Sequence, residues 1–441
     1  MRRFLVYFVA MLLLATPEVL ATGRGEARNR AAVLSGGDGY YKELFMDGGI
    51  HLTSRRKLPA ARALGIDMEF FASAATKELT AQDTILQSRI FCGSDQDTNG
   101  PLLYPDGAPR FRAIYVNGGS AAKHARTLTA EGRERIRQFV AAGGSYIGTC
   151  AGAFLASAAS KRTGKSERNR GLYLNLWPGT MHSTGLLKSR TAMQLERGSA
   201  LLRYYDFGGD GVIDSVRHNG GGYALESTLP AGTEALTRYI FKDNDKVKIN
   251  NCISAWAYKK DEQSGRVVLV GSHPEAVTSG ERLEYMSAML LYAMDGNGKP
   301  KIKAELNSGQ RIQMNLRTED NLPERTAIGD RQYHHFTVTV PKGCKQMTIK
   351  LSGYDGSDNF DLALSAHPRS FAFMDSAQYT DSTSGCYKTL TITRPKPGVW
   401  YISVLCQTTV SAITGQYGTK YFGRTDVLNG VPYTISAEID Y

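Results

Sequence analysis

Ser145-Tyr146-Ile147-Gly148-Thr149-Cys150-Ala151-Gly152-Ala153 is the stretch whose reading decides the fold. Ser145 to Gly148 reads as a short buried strand, and the apolar run Ala151 to Ser160 reads as a helix. Glycines at 148 and 152 bracket a cysteine at the turn between them. A sharp strand-to-helix turn crowds the backbone, and small residues relieve the clash. The sulfur is then lifted above the sheet, in the arrangement of a nucleophile elbow with Cys in place of Ser. A helix N-terminus beneath the sulfur favours thiolate over thiol. The N–H of Ala151 points to where an oxyanion would form. The plain alternative is a structural cysteine buried between apolar elements.

Working outward, strands and helices alternate from Ala31 to about Ala293. Ala31 to Leu34 is a strand ending at Ser35-Gly36-Gly37-Asp38, and Ala113 to Val116 is another, ending at Asn117-Gly118-Gly119-Ser120. A helix follows, with Thr129 as N-cap, Ile136, Phe139 and Val140 on one face, and Gly143-Gly144 as its stop. Arg266 to Val270 is a strand. A last helix spans Glu281 to Met294, with Leu283, Met286, Leu290 and Ala293 on one stripe. This alternation predicts an α/β domain whose parallel sheet is covered by helices on both faces.

Near Asn297-Gly298-Lys299-Pro300 the pattern changes to short alternating strands punctuated by Gly, Pro, Asp and Ser. His335 to Val340, Met347 to Leu351, Phe360 to Leu364, Thr389 to Ile392, Trp400 to Val404 and Tyr433 to Ala437 together predict an all-β sandwich. At the other end, Arg2-Arg3, the apolar run Phe4 to Leu14 and Val19-Leu20-Ala21 have the makeup of a signal peptide. The expected organisation is a signal peptide over 1–21, a catalytic domain over 22–298 and a β-sandwich accessory over 299–441. An exported protein, in periplasm, cell surface or medium, is the expectation, with no membrane span after cleavage.

The composition fits soluble globular domains, at 42% hydrophobic and 22% charged. The net charge of +11 is spread along the chain. Only Lys161 to Arg170 (KRTGKSERNR) is locally basic, and a solvated loop accounts for it. No basic face interleaved with stacking aromatics appears, so nucleic acid is not an expected partner. The cysteines are Cys92, Cys150, Cys252, Cys344, Cys386 and Cys406. None has zinc spacing. Export permits disulfides, and a strand hairpin would bring Cys386 to Cys406. Asp355, Asp358 and Asp361 are clustered oxygen ligands or ordinary turn aspartates, as are Asp206, Asp210 and Asp214. No cofactor and no metal are called for.

Two further stretches carry chemistry. His273-Pro274-Glu275 follows the strand ending at Val270. Residues two apart on extended chain face the same side, so Glu275 can fix the tautomer of His273 and steady its imidazolium. The alternative is a loop histidine beside a solvated glutamate. Parallel strands open their ligand sites at their carboxyl ends, so Cys150 and His273 are expected to meet. The paired glycines Gly118-Gly119 allow backbone N–H groups close to a reacting carbonyl, or form a simple turn. Asn219, Gly220 and Gly221, within Arg217 to Tyr223, either line a substrate pocket or make a glycine-rich turn.

Together, a Gly-Gly at an early strand end, the Gly-x-Cys-x-Gly elbow and a late His-x-Glu resemble the class I glutamine amidotransferase-like superfamily. Gly148 to Ala153, Asn219-Gly220-Gly221 and Gly265 to Glu275 resemble, more narrowly, the branch named for the N-terminal domain of biotin-protein ligases. The resemblance implies a flavodoxin-like fold, a Cys150–His273–Glu275 triad, and an oxyanion hole from the N–H groups of Gly119 and Ala151. Gly118, Asn219, Gly220 and Gly221 would contact substrate. Phe154 stands where glutamine amidotransferases usually carry a glutamine that helps hold the substrate. The C-terminal region resembles bacterial pre-peptidase C-terminal domains, through Asp358 to Leu362, Pro397 to Ile402 and Tyr433 to Ile435. That resemblance implies targeting, or contact with a cell surface or glycan.

The expected function is an exported cysteine hydrolase cleaving a small amide or peptide through a thioester acyl-enzyme. The alternatives are a glutaminase or amidotransferase-like enzyme, and a catalytically silent surface-binding protein that keeps the fold.

Overall fold

The computed structural model describes residues 45–47, 58–66, 68–70, 97–162, 165–167, 171–356, 359–415 and 418–441. The expected signal peptide, the strand Ala31 to Leu34, Cys92 and Asp358 lie outside these residues. Among the described residues no helix is long and apolar enough to cross a membrane.

Apolar runs bounded by glycine turns set the central strands. These are β1 (Phe45–Asp47), β2 (Met68–Phe70), β3 (Ala113–Val116), β4 (Ser145–Thr149), β5 (Ser157–Lys161), β6 (Trp177–Ser183), β7 (Ser189–Leu195), β8 (Val212–His218), β9 (Gly222–Tyr223), β10 (Thr233–Ile240), β11 (Ile253–Tyr258) and β12 (Val267–Val270). The main sheet runs β2-β1-β3-β4-β12-β11-β10-β7-β8. From β2 to β12 neighbouring strands are parallel, and from β12 to β8 they are antiparallel. The expected parallel sheet is thus the half that holds the elbow, and four antiparallel strands extend it.

Strand residues alternate between two cores. Ala113, Tyr115, Ile147, Val268 and Val270 pack on one face with helices α1 (Pro59–Ala63) and α5 (Glu281–Asp295). Ile114, Val116, Tyr146, Val267 and Leu269 pack on the other. There they meet α3 (Thr129–Ala141) and α4 (Ala151–Ala156), while α2 (Ala121–Thr127) precedes α3. Thr129 starts α3 as expected, at φ +60°, with its hydroxyl accepting from Gly132 N–H at 3.5 Å. Gly143, at φ +115°, ends it; a side chain on Gly144 would meet the Phe139 ring at 2.2 Å.

The helix after the elbow is shorter than expected. It stops at Ala156, and Ser157 to Lys161 become β5, which pairs with β6 in a separate three-stranded sheet, β5-β6-β9. Leu174 and Leu176 donate backbone hydrogen bonds to Leu155 and Ala156, taking the helix carbonyls that a longer helix would use.

Beyond Pro300 two sheets enclose a third core. One contains β13 (Ile302–Glu305), β15 (Tyr333–Val340), β17 (Leu362–Pro368), β18 (Tyr379–Asp381) and β20 (Gly398–Cys406). The other contains β14 (Arg311–Met314), β16 (Gln346–Gly353), β19 (Lys388–Thr393) and β23 (Tyr433–Asp440). The strands β21 (Ser411–Gly415) and β22 (Gly418–Phe422) form a hairpin apart from both. Phe336, Val338, Ile349, Leu364, Trp400, Ile402 and Ile435 fill the space between the two larger sheets. The expected Cys386–Cys406 bridge is not formed; Cys406 is a thiol whose Sγ donates to Thr408 O at 3.3 Å. Asp361 Oδ1 accepts from Gly385 N–H at 2.6 Å, the work of a turn residue. No group of three or more His, Cys, Asp or Glu suited to a metal occurs among the described residues.

Candidate active site

Three neighbouring parallel strands end side by side. Val116 pairs with Gly148, and Thr149 with Val270. The chain leaving β3 is Asn117-Gly118-Gly119, that leaving β4 is Cys150, and that leaving β12 leads to His273. Register alone therefore brings the three sequence features to one edge of the sheet, where α/β folds open their sites.

The elbow is built as its glycines require. Cys150 sits at φ +48°, ψ −103°, a conformation that L-residues avoid and that costs about 1–3 kcal/mol. Its N–H donates to Val270 O at 2.9 Å, and its carbonyl accepts from Phe154 N–H at 3.1 Å as the first turn of α4. A side chain on Gly152 would lie 2.1 Å from Val116 O, and one on Gly148 would lie 2.6 Å from the Gly152 carbonyl carbon. The helix can cross the strands only because both positions lack a Cβ. Tyr146 Oη donates to Gly152 O at 2.8 Å from below. The sulfur-bearing residue is 5% exposed.

His273 is held on three sides. Its N–H donates to Arg217 O at 2.9 Å, which ties it to the end of β8. Its Nδ1 lies 2.8 Å from Glu275 Oε1, so the carboxylate takes one ring nitrogen, and the Cys150 sulfur lies near enough to the ring to favour its proton. Its third neighbour is Gly118. A Cβ there would sit 2.3 Å from His273 Cε1, inside the imidazole. Gly118, expected to contact substrate, makes room for the histidine. Burial of the ring opposes the imidazolium, but the Cys150 sulfur and the Glu275 carboxylate outweigh it and lift His273 to about 10.

The glycine loop after β8 makes a tight turn and also lines a cavity. Gly220 and Gly221 have φ +86° and +87°. A side chain on Gly221 would lie 1.9 Å from Gly271 O, and one on Gly271 would lie 1.7 Å from Gly222 O. Gly222 N–H donates to Gly271 O at 3.0 Å, and Tyr239 Oη donates to Gly222 O at 2.8 Å. Backbone against backbone, the loop clasps the segment carrying His273. Its other side, Asn219 to Gly221, lines a cavity of about 250 Å³ that also touches Gly119, Cys150 and Ala151.

His218 is fully buried beneath this loop, with Nε2 2.8 Å from Thr191 Oγ1. Burial, and repulsion from His273, push it down to about 4. Phe154, marked in the sequence, lines the cavity, but other parts of its wall escaped the sequence reading: Tyr173 and Ser183, with Lys161, Arg162 and Lys165 from the run read as a solvated loop. The first turn of a helix has N–H groups without intrahelical acceptors, and Ala151 lies in that turn facing the same cavity as Gly119.

The family model described as "Biotin-protein ligase, N terminal" matches residues 108–291. That span includes the three strand ends, the elbow, the glycine loop and His273 to Glu275, and it supports the superfamily resemblance read from the sequence. Among solved structures, a glutamine amidotransferase is 15% identical, over 56% of this chain and 98% of that one, at a TM-score of 0.32. A β-glucosidase from Paenibacillus barengoltzii is 12% identical, over 35% of this chain and 16% of that one, at a TM-score of 0.11. Likenesses this loose say nothing of activity. No curated protein matches the sequence.

Proposed function

We propose that this chain, similar over residues 108–291 to the N-terminal domain of biotin-protein ligases, is an exported cysteine hydrolase acting on a small amide or peptide. The observation that carries the reading is the line Cys150–His273–Glu275, in which His273 is raised to about 10 between a sulfur and a carboxylate. The sulfur and the carboxylate that face the ring favour its protonated form, which suits His273 to take a proton and to pass it to a leaving nitrogen.

Cys150 passes its thiol proton to His273, and the sulfur adds to the scissile carbonyl. The oxyanion is taken by the N–H groups of Gly119 and Ala151. Imidazolium protonates the leaving nitrogen, the C–N bond breaks, and a thioester remains. His273, now neutral, takes a proton from water, which hydrolyses the thioester; the released sulfur takes that proton back and the site is restored. Glu275 keeps the ring in one tautomer throughout. Phe154 lines the cavity with an aromatic ring, which favours a hydrolase over a glutamine-dependent amidotransferase.

The test is thiol reactivity followed by turnover. Mature protein is treated with an iodoacetamide probe at neutral pH, the labelled cysteine is mapped by mass spectrometry, and His273→Ala is run in parallel. Fast labelling of Cys150 that slows in the variant supports the reading, and a panel of amides and peptides then finds the substrate. Labelling indifferent to His273 sinks it and leaves a surface-binding protein that keeps the fold.

A further inference from the structure

The sheet edge that carries the site also carries a bare cationic surface. β4 and β12 end there, and antiparallel pairing brings the ends of β8 and β10 and the start of β7 to the same edge. Arg190 and Arg217, both exposed, are paired directly across β7 and β8. Like charges opposite each other on neighbouring strands are destabilising, a cost that an outside anion removes. Lys188 and Lys242, also exposed, stand just before β7 and just after β10. Among the described residues no ion pair engages any of the four. Acids are present where other cations need them: Arg238, farther down β10, is paired with both Glu196 and Glu226. The acid of β8, Asp214, lies three residues back from Arg217. In the turn after β10, Asp243 and Asp245 are offset by Lys246 and Lys248. Asp243 Oδ1 already accepts from the N–H groups of Ile249 and Asn250 at 2.9 Å.

Two apolar side chains stand among these cations. Leu187 is 73% exposed, the most exposed large apolar side chain among the described residues, and Ile240 is 42% exposed. Ile240 pairs with Ala192, two residues along β7 from Arg190, and strand alternation puts the three on one side. Single exposed apolar residues are ordinary. Here each is followed within two residues by a lysine, in Leu187-Lys188 and Ile240-Phe241-Lys242. A soluble polyanion would engage the cations and leave the leucine and isoleucine in water. A bilayer uses both, because apolar side chains enter the boundary of headgroups and acyl chains while cations meet anionic headgroups. The Leu187 tip is also fastened to the cavity beside Cys150. Gly220, which lines that cavity, donates its N–H to Leu186 O at 2.6 Å and accepts from Thr184 Oγ1 at 2.9 Å.

We propose that this edge docks the protein on the surface of an anionic bilayer, with Leu187 and Ile240 entering the interface and Lys188, Arg190, Arg217 and Lys242 facing lipid phosphates. Docked so, the mouth of the Cys150 cavity sits at the headgroup layer, where Lys161 and Arg162 add charge of the same sign. The docking surface is independent of whether Cys150 turns a substrate over.

Co-sedimentation of the mature protein with lipid vesicles is the test. Binding to vesicles of equal parts phosphatidylglycerol and phosphatidylcholine should be about a hundred-fold tighter than to phosphatidylcholine alone, and should weaken with added salt. Lys188→Gln with Arg190→Gln and Lys242→Gln should remove most of that preference. Leu187→Ser with Ile240→Ser keeps every charge and should weaken binding about ten-fold. Lys342→Gln with Lys345→Gln, exposed on the sandwich, removes charge elsewhere and should change nothing. Leu187→Trp gives a readout that needs no loss of binding: its emission should shift to the blue on the mixed vesicles and stay put with soluble polyglutamate. Equal binding to the two kinds of vesicle overturns the proposal. So does an equal loss in the sandwich variant, which reports net charge alone. Undiminished binding of the serine variant, with a tryptophan at 187 that stays in water, makes the face a purely ionic one for a soluble polyanion and overturns the bilayer as partner. Iodoacetamide labelling of Cys150 reads the other proposal separately: a protein that docks on vesicles but labels slowly and without regard to His273 loses the hydrolase reading and keeps this one.

Discussion

Both halves of the molecule bury cysteine and histidine, and they do opposite things with them. In the β-sandwich, burial and the nearby Asp330 push the Cys406 thiol well up. His335 is pushed down to about 3 by burial and by Lys303, with Nδ1 2.7 Å from Ser403 Oγ. Those groups stay neutral, which is the ordinary outcome of desolvation. At the sheet edge of the α/β half, His273 is also buried, yet it is raised to about 10 because a sulfur and a carboxylate face it from two sides. Burial alone silences these side chains. Burial with a matched pair of partners charges them, and that difference is what a nucleophile requires.

The largest effect that sharpens the contrast is on turnover. Cys150→Ser should lower hydrolysis by at least ~10³-fold with the fold intact by circular dichroism. Cys406→Ser should leave turnover near normal and lower stability by about 1 kcal/mol, read from denaturant unfolding. Comparable losses of activity in both would erase the distinction. Next in size, His273→Ala should slow alkylation of Cys150 by about 10²-fold. Gly118→Ala should approach the same loss, because the added methyl would occupy the space of the imidazole, 2.3 Å from Cε1. A Gly118→Ala protein of normal reactivity would show that the ring is not held where its chemistry demands.

The contrast also explains what could be read from the residues alone. The elbow was legible because Gly148 and Gly152 do a job no other residue can, and their contacts with Gly152 and Val116 bear that out. His273 and Glu275 were legible because a two-residue step on extended chain puts them together. The sheet's antiparallel half was not, since β7, β8 and β10 mix charged and polar residues with apolar ones and carry no clear strand signal. Ser157 to Ser160 read as helix because alanine and serine are compatible with one; pairing to Trp177–Ser183 overrode that preference. The cations of the cavity were hidden by the same error. A basic run looks like a solvated face until the fold turns it toward the nucleophile.

Acid should separate the two halves. His334 and His335 are both depressed, His334 by burial and by Lys303, with Asp106 3.7 Å from its Nε2 already paired to Lys303. A depressed pKa contributes stability above the unfolded value, about 6.5, and that contribution is lost as pH falls. Each neutral histidine should therefore cost the fold roughly 2 kcal/mol by pH 5 relative to neutral pH. Thermal melts followed through the sandwich should drop steeply between pH 6.5 and 5, and His335→Gln should flatten the drop. A sandwich indifferent to that interval would mean that these histidines are reached by solvent. His273 is raised and not lowered, so it adds nothing to this loss on the acid side.

The smallest expected effect asks whether one histidine does the chemistry or two. His218 lies within electrostatic reach of His273, and its repulsion from that ring is part of what holds it near 4. A group neutral at every working pH, bonded to Thr191 and covered by Gly220 to Gly222, is placed to support the loop rather than to move protons. His218→Gln keeps a donor toward Thr191 Oγ1 and should lower turnover only a few-fold, chiefly through KM, since Asn219 to Gly221 line the cavity. It should leave the pH profile of Cys150 alkylation unmoved. A loss as deep as that of His273→Ala, or a shifted profile, would make His218 the base. The geometry argues against that outcome: among the described residues no carboxylate hydrogen-bonds to His218 as Glu275 does to His273.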